Sequence, residues 1–557
     1  MPDRLPIARG IALALAVVCC SAQDAPPVFR AGSRLVEVSV AVLDRKGNPV
    51  EDLKSADFTI SDAGKTRPIA FFRFEGAPQQ TPSAPALAPG VFSNHAGLSG
   101  GSPRNITALV LDSLNTPQQQ SVWARAQMMR YLKALNSGTR MAIFHMGQQL
   151  RTLYDFTDDA AALRSHIEKA TLGMPLETVT DFDRSVIEAE QFVNMFAGDP
   201  TAQKAMEEIM RQQLDVEMAA NAAARRSRME RSLAAMEVLG RHLAGIPGRK
   251  NMVWISAGFS MFSLSVGRGG PGSTESFEDK VRQTSRHLAQ EGIALYIVDS
   301  RGIEAAPAST AEYSAPMPVR GRGRFEPQMD AERTSNDPHS AMELMASITG
   351  GRYLFNTNDL SAGLKQVTAD LKGAYTLGFY ASGEPDNKWH KLKVRVARSG
   401  TTVHHREGYA AEAEPSQPVE WSNNTWRAAL TNPIGSSVIP VTATCQLTDT
   451  GELSLSLNVA ANQLSFRPDG DNLNAGLQLA IAETDAEGRS QPQIIGITAA
   501  VPKSQWDELS AKGLNYERRW KPGPGAAALR VIVRDTRTGQ YGSLDVPLAK
   551  ILSAPPQ

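Results

Sequence analysis

At 557 residues, with 42% hydrophobic and 21% charged, the chain has the composition of a folded globular protein and room for about three or four domains. Lys plus Arg and Asp plus Glu both number 58, so no global field steers it toward nucleic acid or an acidic substrate. That balance argues against nucleic acid as a partner.

The chain opens with Arg4 and Arg9, the apolar run Ile11 to Cys20, and small residues at Ser21-Ala22. This layout predicts a signal peptide over 1–22, cleaved after Ala22, and hence an exported protein in the periplasm, the medium or the envelope. The run is far shorter than the ~20 residues of a membrane-spanning helix, so no transmembrane span is expected. A lipoprotein is the alternative, on the loose lipobox Ala16-Val17-Val18-Cys19. Cleavage after Ala22 leaves Cys445 alone, which permits no internal disulfide. Lying in the alternating segment Val441 to Leu447, Cys445 reads as a small buried hydrophobe.

Short β-branched and aromatic runs at 35–43, 58–60 and 69–74, parted by turn residues, predict an N-terminal β-sandwich over 30–75. Residues 76–103 are rich in Pro, Gly, Ser and Ala and read as a linker. From Ile106, near-continuous apolar runs alternate with amphipathic stretches. Strands are expected at 106–111, 141–144, 251–256 and 293–298, which predicts a doubly wound, Rossmann-type parallel sheet within an α/β domain over 104–410. Ligands of such sheets bind at the carboxyl ends of the strands, where Asp112, Ser256 and Asp299 are expected. A helical insertion is predicted over 199–240, removable without loss of the core, and a β-hairpin is appended at 373–410. Residues 411–420 form a second linker, and 421–557, with short strands parted by turns, a C-terminal β-sandwich.

The segments GNPVEDLKSADFTISDAGKTRPIAFF, LVLDSLNT, RKNMVWISAGF, ALYIVDSRG, GGRYLFN, YTLGFY, WHKLKVRV and HHREGY, in this order, resemble the von Willebrand factor A-related proteins of the acidobacterial type. The resemblance implies a von Willebrand factor A-like sheet with a metal-ion-dependent adhesion site. In that motif an Asp-x-Ser-x-Ser loop, a Thr and a further Asp offer hard oxygens to Mg²⁺. Asp112 and Thr116 match it, and Thr178 or Thr180 supplies the second loop. Leu114 and Ala257 stand where a hydroxyl and a carboxylate are needed. The metal residues are therefore Asp112, Thr116 and Thr180 in a degenerate site, Mg²⁺ weak or lost, with Asp181 or Asp183 as a substitute carboxylate. Alternatively, Asp112 hydrogen-bonds loop backbone or caps a helix, at the solvent-facing end of its strand.

Gly267 to Gly272 spells GxGxxG, but about ten residues part it from the strand ending at Ser256, so a surface loop is favoured over a dinucleotide site. HExxH, paired CxxC, GxSxG and Walker A sequences are absent, and no base is expected beside a nucleophile. The expected function is non-enzymatic binding or adhesion to a protein, matrix or envelope partner. The alternative is a structural or assembly component of an envelope complex with no metal function.

Overall fold

The computed structural model describes residues 35–76, 87–94, 105–134, 140–169, 182–246, 248–259, 277–301, 325, 339–356, 359–381, 383–413, 415, 417–485, 490–548 and 551. The predicted signal peptide and the glycine run 267–272 lie outside them.

Four strands come first: β1 (Leu35–Asp44), β2 (Phe58–Asp62), β3 (Lys65–Arg67) and β4 (Phe71–Phe74). In β1, Val36, Val38, Val40 and Val42 are buried, as β-branched side chains on one face of a pleated strand should be. Between β2 and β3 a two-residue loop places Ala63 and Gly64 at φ 46° and 85°, the tight hairpin geometry. A short strand, β5 (Val91–Ser93), lies in the stretch whose composition suggests a linker.

The α/β unit runs β6 (Ile106–Asp112), α1 (Gln118–Ala134), β7 (Arg140–Met146), β8 (Leu150–Thr157), α2 (Ala160–Lys169), α3 (Phe182–Asn194) and α4 (Pro200–Ala244). It continues with β9 (Lys250–Ser256), α5 (Phe277–Gln290), β10 (Ile293–Asp299), α6 (His339–Thr349), β11 (Tyr353–Leu354) and α7 (Leu360–Lys372). The sheet order is β11-β10-β9-β6-β7-β8. Every pairing is parallel except β7–β8, which is antiparallel. The order reverses between β6 and β9, which opens a crevice at their carboxyl ends. All seven residues of β6, β9 and β10 are buried, because helices cover both faces. One core joins the sheet to α4, α5 and α6, the other to α1, α2 and α7.

The expected insertion over 199–240 needs correction. Only the first half of α4 is an excursion, paired with α3 through Val186, Val193, Leu214 and Met218. In the second half Met229, Leu233, Met236, Leu239 and Leu243 are buried in the sheet's core, so this is the crossover helix leading into β9. Asp199 caps α4, accepting from the backbone N–H groups of Thr201 and Ala202.

β12 (Ala374–Tyr380), β13 (Trp389–Val396), β14 (Thr401–His405) and β15 (Gly408–Ala410) follow. They are not an appendage of the α/β unit. They complete two sheets with the first strands, ordered β14-β1-β12-β4 and β15-β13-β2-β3. Val38 pairs with Leu377 and Ile60 with Val394. One core of valines around Phe58, Tyr375 and Phe379 lies between the sheets. The described residues of 35–75 and 373–410 thus share one unit, and the α/β unit is inserted within it. The Gly350-Gly351 pair fits the close approach at this junction. A Cβ on Gly350, which has φ 75°, would lie 2.3 Å from the His405 carbonyl carbon across the junction, and one on Gly351 would lie 2.0 Å from the Leu295 carbonyl oxygen within the α/β unit.

The last segment comprises α8 (Asn423–Thr431), β16 (Val441–Leu447), β17 (Leu453–Val459), β18 (Arg467–Asp469), β19 (Asn472–Thr484), β20 (Ser490–Pro502), α9 (Trp506–Lys512), β21 (Leu514–Trp520), β22 (Ala528–Asp535) and β23 (Tyr541–Pro547). One sheet runs β21-β17-β16-β5; the other runs β18-β19-β22-β23, with β20 also on β19. Residues 76–103 are therefore more than a linker: Phe92 of β5 pairs with Ala443 of β16 and adds an edge strand to this unit. Cys445 is buried in the shared core, where burial pushes its thiol up to about 11. The protein is a mixed α/β chain with several sheets, one of them containing parallel strands. Among the described residues, no helix is long and apolar enough to cross a membrane.

Candidate functional site

Asp112, Ser256 and Asp299 are the last residues of β6, β9 and β10, and the parallel register places Ser256 beside Asp299. Asp112 and Ser256 meet at the crevice where the strand order reverses. The Asp112 carboxylate is buried and accepts five hydrogen bonds. Oδ1 takes the backbone N–H groups of Leu114 (2.8 Å) and Asn115 (3.0 Å). Oδ2 takes Asn115 Nδ2 (2.7 Å), Trp254 Nε1 (3.0 Å) and Ser256 Oγ (2.6 Å). A carboxylate offers about four lone-pair sites, so this one is saturated by the protein itself. Burial pushes its pKa up, and the hydrogen bonds from Ser256 and Asn115 pull it back.

The expectation that Asp112 lies at a solvent-facing end is wrong: it is 3% exposed. The reading that it binds loop backbone describes its geometry, with the carboxylate reaching two and three residues ahead as short acidic side chains do. It does not cap α1, which begins six residues later at Gln118. Thr116 is beside it, its Oγ1 accepting the Ala257 N–H at 3.1 Å. Ser256 Oγ accepts the Gly258 N–H at 2.8 Å, and Gly258 has φ 79°. Asn115 Nδ2 also donates to Ser232 Oγ on α4, at 2.7 Å, which ties the loop to the crossover helix. Leu114 is 1% exposed and turned into the core. Thr178, Thr180 and Asp181 lie outside the described residues, and Asp183 is the second residue of α3. Among the described residues, no three His, Cys, Asp or Glu side chains gather as a metal-binding group.

One expectation is overturned here. Ser113 Oγ and His145 Nε2 lie 2.6 Å apart, which is a base beside a nucleophile. Burial, then the charge of Arg151, lowers the pKa of His145 and favours the neutral ring. The pair is still short of a catalytic arrangement. Both residues are buried, no carboxylate among the described residues orients His145 Nδ1, and the nearby Leu114 and Asn115 N–H groups are spent on Asp112. Ser113 also bonds the Met146 carbonyl through its own backbone N–H (2.9 Å), so the contact staples β6 to β7.

A second polar cluster follows β10. Asp299 pairs with Arg301 at 2.5 Å and accepts the Tyr353 hydroxyl at 2.9 Å. That hydroxyl lies 2.9 Å from His339 Nδ1. Burial, then the adjacent Asp299 charge, raises the Tyr353 pKa. Phe355 stacks on Tyr353 with ring centroids 5.0 Å apart and is 54% exposed, a large aromatic at the carboxyl edge. Sequence reasoning passed over Trp254, Asn115, Ser232, His145, Tyr353 and Phe355. The GGRYLFN and LVLDSLNT segments contain three of them, but as signs of family, without a role.

No family model matches the chain, and neither does any curated protein. Among solved structures, an aerotolerance-related membrane protein from Bacteroides fragilis NCTC 9343 is 11% identical, over 48% of this chain and 100% of that one, with a TM-score of 0.23. BatB from Bacteroides thetaiotaomicron is 14% identical over 48% and 98%, TM-score 0.22. A von Willebrand factor type A protein from Catenulispora acidiphila is 8% identical over 86% and 78%, TM-score 0.23. Superpositions this loose add nothing to what the strand order and the side chains say.

Proposed function

We propose that the chain is an exported, non-enzymatic binding protein whose von Willebrand factor A-like α/β unit engages a protein or matrix partner across the carboxyl edge of its sheet, without a cation. The resemblance in sequence and the strand order with its β6/β9 crevice support the domain type. The observation that carries the reading is the saturated carboxylate of Asp112. Mg²⁺ needs an octahedral shell of oxygens at about 2.0–2.1 Å and gives up its waters reluctantly. To supply one oxygen, Asp112 would have to shed protein donors in a buried place. Leu114 brings no oxygen, and Thr116 is held by the Ala257 N–H. These residues do not fit Mg²⁺. Protein donors stand in for the cation and hold the crevice loops in place.

The partner-facing group is then an exposed aromatic, the residue type that most often anchors an interface. Phe355 has that exposure and a rigid backing in Tyr353 and His339. Capture of partners from envelope fractions by crosslinking tests the reading. Capture is expected to persist in chelator and to fall at least tenfold in Phe355→Ala. A micromolar Mg²⁺ site in titration calorimetry that disappears in Asp112→Ala would overturn it.

The second reading, a structural or assembly component, draws on Ile187, Met195 and Val216, which stand exposed on the α3–α4 hairpin. It predicts capture that is lost on changing the hairpin and indifferent to Phe355.

A further inference from the structure

α4 has 45 residues, about 68 Å of helix at 1.5 Å per residue. Ser232 is level with Asn115 at the carboxyl edge, so the preceding part of α4 reaches roughly 48 Å beyond the sheet. α3 covers one face of this arm. On the opposite face, Ala205, Ile209, Gln212, Val216, Ala219 and Ala223 follow at steps of four and three, and all are exposed. Ile209 is 49% and Val216 70% exposed. This is heptad spacing, with β-branched side chains at one core position and small or amide side chains at the other. Charge is uneven along the same helix: Glu207, Glu208, Asp215 and Glu217 outnumber Lys204 and Arg211 in the leading part, and Arg225, Arg226, Arg228 and Arg231 outnumber Glu230 in the part that follows.

We propose that α4 binds α4 of a second copy as an antiparallel coiled coil centred between Val216 and Ala219. In that register Val216 meets Ala219 of the second copy, and Gln212 meets Ala223. Glu207 lies level with Arg228 of the second copy, Glu208 with Ser227, which stands between Arg226 and Arg228, and Ile209 with Arg226, whose guanidinium rests over Phe277 of its own chain. Parallel pairing would instead set the mostly acidic part on itself and the mostly basic part on itself. The register also brings the hairpin tip, 197–201, level with Ala235 and Val238 of the second copy. There a cleft of about 630 Å³ opens between α4 and the C-terminal unit, lined by Val238, Trp421, Ala429 and Tyr541. Met195, 70% exposed beside the tip, supplies a flexible apolar side chain for it. Heptad, charge and cleft agree on one alignment.

Sedimentation of the full-length chain should show a dimer, and Ile209→Glu with Val216→Glu should raise its dissociation constant at least about 30-fold. Both side chains are solvent-facing in the single chain, so at concentrations low enough to keep the parent monomeric the variant's thermal melt should match the parent's. Direction is read separately, from spin labels at Lys204→Cys in a chain with Cys19 and Cys20 changed to Ser. Antiparallel pairing sets the two labels about 40 Å apart, because Lys204 falls level with Arg231 of the second copy. A chain that is monomeric at about 100 μM, a dimer that survives both glutamates, or a label separation near 10 Å would each overturn the proposal.

Discussion

Asp112 accepts five hydrogen bonds and donates none, so removing its side chain strands the Trp254 indole, the Ser256 hydroxyl, the Asn115 amide and two backbone N–H groups together. Stranded buried donors cost about 1–3 kcal/mol each, less where water enters. Asp112→Ala should therefore cost about 3–5 kcal/mol, matching or exceeding Leu109→Ala on the same strand. Asp112→Asn, which keeps one oxygen, should cost less. Denaturant midpoints give the order, and a cost under 1 kcal/mol for the alanine would contradict the network. Sequence located Asp112 because an apolar run ending in an acid marks a strand's carboxyl end. It gave the wrong exposure, because two of the donors that bury it, Trp254 and Ser256, sit on or at the end of a strand some 142 residues away, and a third, Asn115, is itself held by Ser232 on a helix read as an insertion. Ser113 and His145 escaped notice for the same reason: parallel register joins them, not proximity in the chain.

Among the elements, α4 divides its labour along its length. Leu233→Ala and Leu239→Ala, in the half packed on the sheet, should cost about 2–5 kcal/mol each, while Val216→Ala in the projecting half should change the stability of the single chain, measured at monomeric concentration, by less than about 0.5 kcal/mol. Removing 199–240 whole should abolish cooperative unfolding, because that cut takes Met229, Leu233, Met236 and Leu239 from the core. Shortening only the arm, 184–218, should leave a soluble chain with a sharp melt. The Ala-, Glu- and Arg-rich composition is common to both halves, so composition gave no sign of the division. The buried leucines at 233, 239 and 243 were the legible signal, at helical spacing just before the strand 250–256. β8 is a similar case. Gly147-Gln148-Gln149 between two β-rich runs marks a tight turn and hence an antiparallel neighbour, but a single edge strand is a weak interruption in a βα pattern.

At the scale of the whole molecule, chain order and spatial order part company. The two sheets around Tyr375 draw strands from both sides of the α/β unit, so a fragment of 30–75 alone should show no cooperative transition by circular dichroism. A fragment starting at 421 lacks β5, and its exposed β16 edge should make it more prone to aggregate than one supplied with 87–94 in trans. Strand patterns were legible in both places, but pairing partners 300 residues apart were not. Acid should weaken the protein globally. Burial lowers the pKa of His145, His242, His404 and His405 in the folded state. The unfolded chain then binds more protons below about pH 6.5, and stability is lost as pH falls through that value. Lys250, lowered to about 8 chiefly by burial, acts in the same sense at higher pH: stability gains as pH rises from about 8 toward 10.5. Melting temperatures that rise on going from pH 7.5 to 5.5 would contradict this assignment.

The pairing of Leu35 with Tyr380 also sets a clock. Ribosomes add about 5–20 residues per second, so β1 waits roughly 20–70 s for its hydrogen-bonding neighbour to be made. Throughout that interval, of the buried core residues only Val50, Leu53, Phe58 and Ile60 are at hand to cover its valine face, and the sheet that carries β1 cannot close. On the export reading, this delay keeps the leading segment unfolded and threadable while the rest of the chain is still emerging. The cost is a long exposure of an aggregation-prone strand, which makes early handover to a holding chaperone a requirement of this topology.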